Sequence, residues 1–111
     1  MKGDVVLVDF PFTHGTASKV RPALSVQGDA VQSVNTIIAQ ITSNLSRVGP
    51  ATRFFVDTTV EAGSGLLGDS VVMCENLYTI HNGRIIRRLG SLSAAAMARV
   101  DECLKAAHGI P

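Results

Sequence analysis

Tryptophan is absent from this chain, cysteine occurs only twice, and formal charge nearly cancels, with ten Lys and Arg against nine Asp and Glu. The net charge of +1 argues against a protein that coats nucleic acid indiscriminately through counterion release. Nothing approaches the roughly eighteen consecutive apolar residues of a membrane span, and no basic segment leads into a long apolar one. A cytoplasmic protein with no membrane partner is therefore expected. Cys74 and Cys103 lie far apart, in a strand-like and a helix-like stretch, and without a secretion signal they read as small buried hydrophobes rather than as a bridge. The chain has no CxxC, no HExxH and no clustered His/Asp spacing, so no metal and no cofactor is expected.

What is present is a run of short apolar segments divided by turn signals. At 111 residues the chain makes one domain, 1–111, long enough to bury roughly 60–70% of the surface of its unfolded form. Strands are expected at about 4–10, 20–27, 36–42, 53–57, 70–80 and 84–89. His81-Asn82-Gly83 reads as a type I′ hairpin turn between the last two. No helix of ten or more residues separates the strands, which excludes a doubly wound parallel sheet and leaves an antiparallel barrel. Only the C-terminus is helical in pattern. Ser93 offers an N-cap, Met97, Val100, Leu104 and Ala107 recur at helical spacing as a core or dimer stripe, and Gly109 is the stop. The Gly-, Ser- and Thr-containing loops 11–18 and 58–69 have the composition of mobile segments.

The most informative segment is Lys19-Val20-Arg21-Pro22-Ala23-Leu24-Ser25-Val26-Gln27, followed by Ile41-Thr42-Ser43. Proline disfavours the α region for the residue before it, so Arg21 should be extended on rigid backbone. From Ala23 the chain alternates as a half-buried strand, with Ala23, Ser25 and Gln27 on one face and Leu24 and Val26 on the other. A guanidinium and a hydroxyl at the ends of two successive strands are the minimal equipment for handling a phosphodiester. Charge is also uneven: residues 57–80 hold Asp57, Glu61, Asp69 and Glu75 without Lys or Arg, whereas Arg84, Arg87 and Arg88 follow and Lys19 and Arg21 precede. That pattern suits a local basic patch beside carboxylates and a short single-stranded segment of RNA.

Taken in order, Gly3-Asp4-Val5-Val6-Leu7-Val8-Asp9-Phe10, the Arg-Pro strand, Thr36 to Ser43, Gly65 to Val72, Tyr78-Thr79-Ile80 and Leu89-Gly90-Ser91-Leu92 resemble the MazF/PemK family of toxin endoribonucleases, from Gly3 to about Leu104. The resemblance implies a mainly β fold with a C-terminal α-helix, a small SH3-like antiparallel β-barrel of the MazF/PemK/CcdB type. It further implies metal-free cleavage of single-stranded RNA, a homodimer with RNA in a groove lined by both subunits, and silencing by a cognate acidic antitoxin. Arg21 matches the family's catalytic arginine and Thr42 its catalytic threonine; Glu75 keeps an acidic residue proposed as general base in some members. His14 is an equally open candidate for acid or base chemistry. RNA contacts are expected from Thr13, His14, Ser18, Lys19, Ser43, Asn44, Asn76 and Tyr78.

Where the family commonly carries Gln, one residue, then Arg-Thr-Ile-Asp, this chain reads Asn76-Leu77-Tyr78-Thr79-Ile80-His81. Tyr78 replaces a cation by an aromatic face that can stack a base, which bears on the cleavage sequence more than on the reaction. Two alternatives stay open: a non-catalytic RNA- or antitoxin-binding barrel, and a CcdB-type gyrase poison. Against the second, the chain ends His108-Gly109-Ile110-Pro111 and lacks tryptophan.

Overall fold

The computed structural model describes residues 1–10 and 19–111; Thr13, His14, Ser18 and the rest of the 11–18 loop lie outside them. Six strands follow in the order β1 (Asp4–Phe10), β2 (Lys19–Ser25), β3 (Asn35–Thr42), β4 (Arg53–Val56), β5 (Ser70–His81) and β6 (Ile85–Ser91), and the helix α1 (Ala94–His108) follows them. All described pairings are antiparallel, in the spatial order β4-β5-β3-β2-β1-β6. The expected barrel is thus a six-stranded sheet that is not closed, with β4 and β6 as its two edges.

The expected β5–β6 hairpin does not form. Neither Asn82 nor Gly83 takes the positive φ that a type I′ turn requires. Residues Asn82–Arg84 instead make a 3₁₀ turn in which His81 Nδ1 accepts from the Gly83 N–H at 2.9 Å. Asn82 is tied back to the segment entering β3, its N–H donating to Val34 O and its Nδ2 to Ser33 O. This anchorage sends β6 across to β1, where Leu7 faces Arg87.

Both faces of the central strands are covered. On one, Val5, Leu24, Ala39, Ile41, Val72 and Cys74 pack with Ala96, Val100 and Cys103 of α1; on the other, Val6, Val8, Phe10, Ala23, Ile38 and Ile80 form a second cluster. For this reason Ala23, Leu24 and Ser25 are all buried, where simple alternation leads one to expect a half-buried β2. Both cysteines are free thiols in the first core; burial pushes the Cys74 thiol up to about 12, with Cys103 and Glu75 adding to the shift.

The helix keeps its expected limits. Ser93 Oγ accepts from the Ala96 N–H at 3.1 Å, and Gly109, at φ 68°, ends α1 in a left-handed conformation. The 58–69 loop, by contrast, is anchored rather than loose. Asp69 Oδ1 accepts from Thr58 N and Oγ1, Glu61 and Ser64 are buried, and Gly90 lets β6 approach Gly63 and Ser64 so closely that a Cβ there would overlap their backbone.

Candidate RNA interface

The site lies on the face of the second cluster, where the β2–β3 ladder stops. β2 pairs with β1 as far as Phe10↔Lys19, but with β3 only from Ala23↔Gln40. Pro22, which has no N–H to donate, stands where the second ladder ends. Beyond it the strands part into a cleft lined by Lys19, Arg21, Gln40 and Ile41, with Phe10 and Tyr78 along its side. Thr42, two residues beyond Gln40 on β3, shares its sheet face by alternation and pairs with Val71 of β5. Among the described residues Arg21 lines this cleft and Thr42 does not.

Thr42 Oγ1 accepts a hydrogen bond from the Asn44 N–H at 3.1 Å. That contact satisfies the turn after β3 and leaves the hydroxyl proton to be donated elsewhere. Asn44 Oδ1 in turn accepts from Ser46 N and Oγ and caps the short 3₁₀ turn Leu45–Arg47. Ser43 lies on a second groove that Arg21 shares with Leu66, Leu67, Arg87 and Leu89.

Glu75 sits apart from the cleft. Between Ala39↔Leu77 and Gln40↔Met73, β5 carries three residues, Cys74-Glu75-Asn76, for which β3 has no counterpart. The bulge turns Glu75 toward β4, where it accepts from Thr52 Oγ1 at 2.8 Å and pairs with Arg53 Nε at 2.9 Å. Partial burial pushes its carboxyl up, but the Thr52 and Arg53 hydrogen bonds and the Arg53 charge outweigh this and hold it below the ordinary carboxylate value. The same bulge carries Asn76 to Gln40, Nδ2 donating to Oε1 at 2.9 Å. Tyr78 meets Phe10 edge to face, with ring centroids 5.6 Å apart and planes at 77°.

Among the described residues, Lys19 and Arg21 are the charged side chains of the cleft, and no carboxylate lines it. Of Arg84, at the end of the 3₁₀ turn, and Arg87 and Arg88 of β6, two are paired: Arg88 with Asp4 at 3.1 Å and Arg84 with Asp9 at 3.5 Å. Arg87 reaches the second groove. Among the described residues, no group of three His, Cys, Asp or Glu side chains stands ready to hold a metal ion, and no helix is long and apolar enough to cross a membrane.

Residues 1–108 match the family of PemK-like, MazF-like toxins of type II toxin–antitoxin systems. The chain belongs to this family. Endoribonuclease MazF9 of Mycobacterium tuberculosis is 30% identical over 112 residues, covering 94% of this chain and 92% of that protein. Endoribonuclease EndoA of Bacillus subtilis is 30% identical over 107 residues, covering 94% and 90%. Among solved structures, a mycobacterial endoribonuclease in complex with its cognate antitoxin shares the fold with a TM-score of 0.81 at 20% identity, covering 100% of this chain and 96% of that one. The Mycobacterium tuberculosis toxin MazF-mt6 aligns with a TM-score of 0.78 at 27% identity, covering 97% and 98%.

In this MazF/PemK chain two side chains that the sequence reading passes over take part in building the site and its frame. Gln40 lines the cleft; being two residues before Thr42 on β3, it shares that residue's face, so period-2 alternation carries the signal. Glu61 accepts from Ser93 N at 2.7 Å and Ser93 Oγ at 2.8 Å, fixing the start of α1. No local pattern marks it, because its partner is 32 residues away.

Proposed function

We propose that the chain is a sequence-specific, metal-independent endoribonuclease toxin that cleaves single-stranded RNA in the cytoplasm, as a homodimer, and is silenced by a cognate acidic antitoxin. One observation carries the reading. In a chain of the MazF/PemK family, Arg21 lines a cleft whose charged side chains, among the described residues, are both cationic, and Thr42 lies two residues beyond Gln40, a lining residue of that cleft, on β3.

The chemistry follows from those groups. The ribose 2′-oxygen attacks the adjacent phosphorus, the bond to the 5′-oxygen breaks, and a 2′,3′-cyclic phosphate and a 5′-hydroxyl result. One proton leaves the 2′-OH and one reaches the departing oxygen. Arg21 bridges two non-bridging oxygens with its planar fork and supplies the positive charge that the phosphorane needs. Thr42 donates its hydroxyl proton to the phosphate. The Arg53 ion pair and the lowered carboxyl of Glu75 support an anchoring part for that residue, which leaves His14 as the candidate base.

The test is incubation of the purified protein with a long unstructured RNA in excess EDTA. Cleavage with cyclic-phosphate ends is expected, and a substrate carrying 2′-deoxyribose at the scissile nucleotide should resist. Cutting of that deoxy substrate, or loss of all cutting in EDTA, contradicts the reading. RNA bound but uncut favours a non-catalytic barrel.

A further inference from the structure

We propose that the cleft beside Arg21 is a pocket for the C4 or C6 edge of one nucleobase and selects the bases with a keto group there, uracil or guanine, over those with an amino group there, cytosine and adenine, with Gln40 as the residue that sets the choice. The inference rests on the RNA-cleaving reading above and adds to it which base edge the site takes.

A hydrogen bond runs from the β5 bulge to β3. Asn76 Nδ2 donates to Gln40 Oε1 at 2.9 Å, so the Gln40 carbonyl is already engaged and its amide turns the Nε2 hydrogens away from Asn76. Gln40 lines the cleft together with Lys19 and Arg21. An ammonium and a guanidinium have donors only, and an amide held in this sense adds two more. With Arg21 committed to phosphate, Lys19 Nζ and Gln40 Nε2 are left to address a base. Both demand acceptors. At the C4 or C6 edge uracil presents O4 and guanine O6, both acceptors, whereas cytosine and adenine present an amino group there, which sets hydrogen against hydrogen and leaves a donor unpaired.

The aromatic side of the cleft fits the same occupant. Phe10 is nearly buried and holds the Tyr78 ring edge to face, so the ring is fixed before RNA arrives. A ring held in this way gives a base a stacking surface with little ordering cost, whatever its identity. Stacking supplies affinity and the donors supply the choice. Arg53 and Thr52 hold Glu75 on the far side of the bulge, which keeps a carboxylate, and with it a strong acceptor, out of the pocket.

The experiment uses the full chain with 2′-O-methyl pentauridylate and pentacytidylate, which lack the attacking 2′-hydroxyl and so are bound without being cut, and measures their affinities by fluorescence anisotropy. A uridylate preference of roughly 5- to 100-fold is expected, the range of one good base-edge contact. Gln40→Leu should bring the ratio close to one. Asn76→Asp, whose carboxylate accepts from Gln40 Nε2 and turns the amide over, should move the preference toward pentacytidylate. In parallel, the active protein cuts a random RNA pool in EDTA, and uracil or guanine should be enriched at one fixed distance from the cut. Equal affinity for the two oligonucleotides, or a preference that survives both substitutions, overturns the inference. Cutting with neither uracil nor guanine enriched at any position overturns it while leaving the nuclease reading intact. Absence of both binding and cutting overturns both.

Discussion

At the residue scale the site is economical, because Arg21 and Thr42 are asked for different things. In the proposed mechanism Arg21 supplies charge and geometry to the phosphorane. Arg21→Ala should therefore lower the cleavage rate by roughly 10²–10³, by analogy with removal of one transition-state donor, and Thr42→Ala should do so less severely. Single-turnover cleavage of a fixed RNA with EDTA present measures both; near-wild-type rates in both variants would sink the assignment. Glu75 poses the opposite question. A general base contributes typically about 10²–10⁴-fold, so a base role predicts that Glu75→Gln abolishes most activity and removes the acidic limb of the pH–rate profile. The anchoring role predicts a much smaller loss with the limb kept. Its folded carboxyl titrates below the ordinary 4.5, so the folded state binds fewer protons there than the unfolded chain. The stability this confers is present above about pH 4.5 and fades as the pH falls through the lower folded value. In urea unfolding midpoints taken from pH 6 to pH 3, the wild-type protein should therefore lose more than Glu75→Gln does.

At the scale of elements, the two features that shape the site are the early end of the β2–β3 ladder and the three-residue bulge of β5. The first was legible in part: Arg-Pro announces a residue fixed in extended backbone and a missing donor, whereas the point at which β3 parts from β2 is set by pairings distant in sequence. The bulge was not. Cys74-Glu75-Asn76 looks like ordinary strand sequence, and only the pairings on either side of it, Gln40↔Met73 and Ala39↔Leu77, show that three residues stand outside the ladder. Asn82-Gly83 misled for a related reason. Its local preference for a tight hairpin yields to hydrogen bonds that Asn82 makes with Ser33 and Val34, nearly fifty positions earlier in the sequence. The helix was read almost to the residue because both caps are local, yet its outer lock is not. Glu61 accepts two hydrogen bonds from Ser93 at the positive end of α1. Glu61→Ala leaves the Ser93 groups without that partner and should cost about 1–3 kcal/mol in urea unfolding. Ser93→Ala should cost about 1 kcal/mol, and the double variant less than the sum, because the two residues share one contact. Full additivity would show that Glu61 does not act through the cap.

At the scale of the whole molecule, a chain of net charge +1 presents its cations selectively. Arg84 and Arg88 are held by Asp9 and Asp4, and Arg53 by Glu75, whereas Lys19, Arg21 and Arg87 face the cleft and the adjoining groove. A partner that competes with RNA must satisfy the same cations, and an acidic, partly disordered antitoxin segment does so with carboxylates in place of phosphates. Three consequences can be measured together. Affinity for the antitoxin should fall steeply as salt is raised, because these cations are exposed at the cleft rim. Thr42→Ala, which keeps every cation, should bind antitoxin as the wild type does, whereas Arg21→Ala should bind it more weakly. Bound antitoxin should displace a short labelled RNA from the Thr42→Ala protein, with apparent RNA affinity declining in proportion to antitoxin concentration. Should RNA and antitoxin occupy the protein at once, neither weakening the other, the shared cations are not the point of inhibition, and silencing must act by another route, with the 11–18 segment the first place to look.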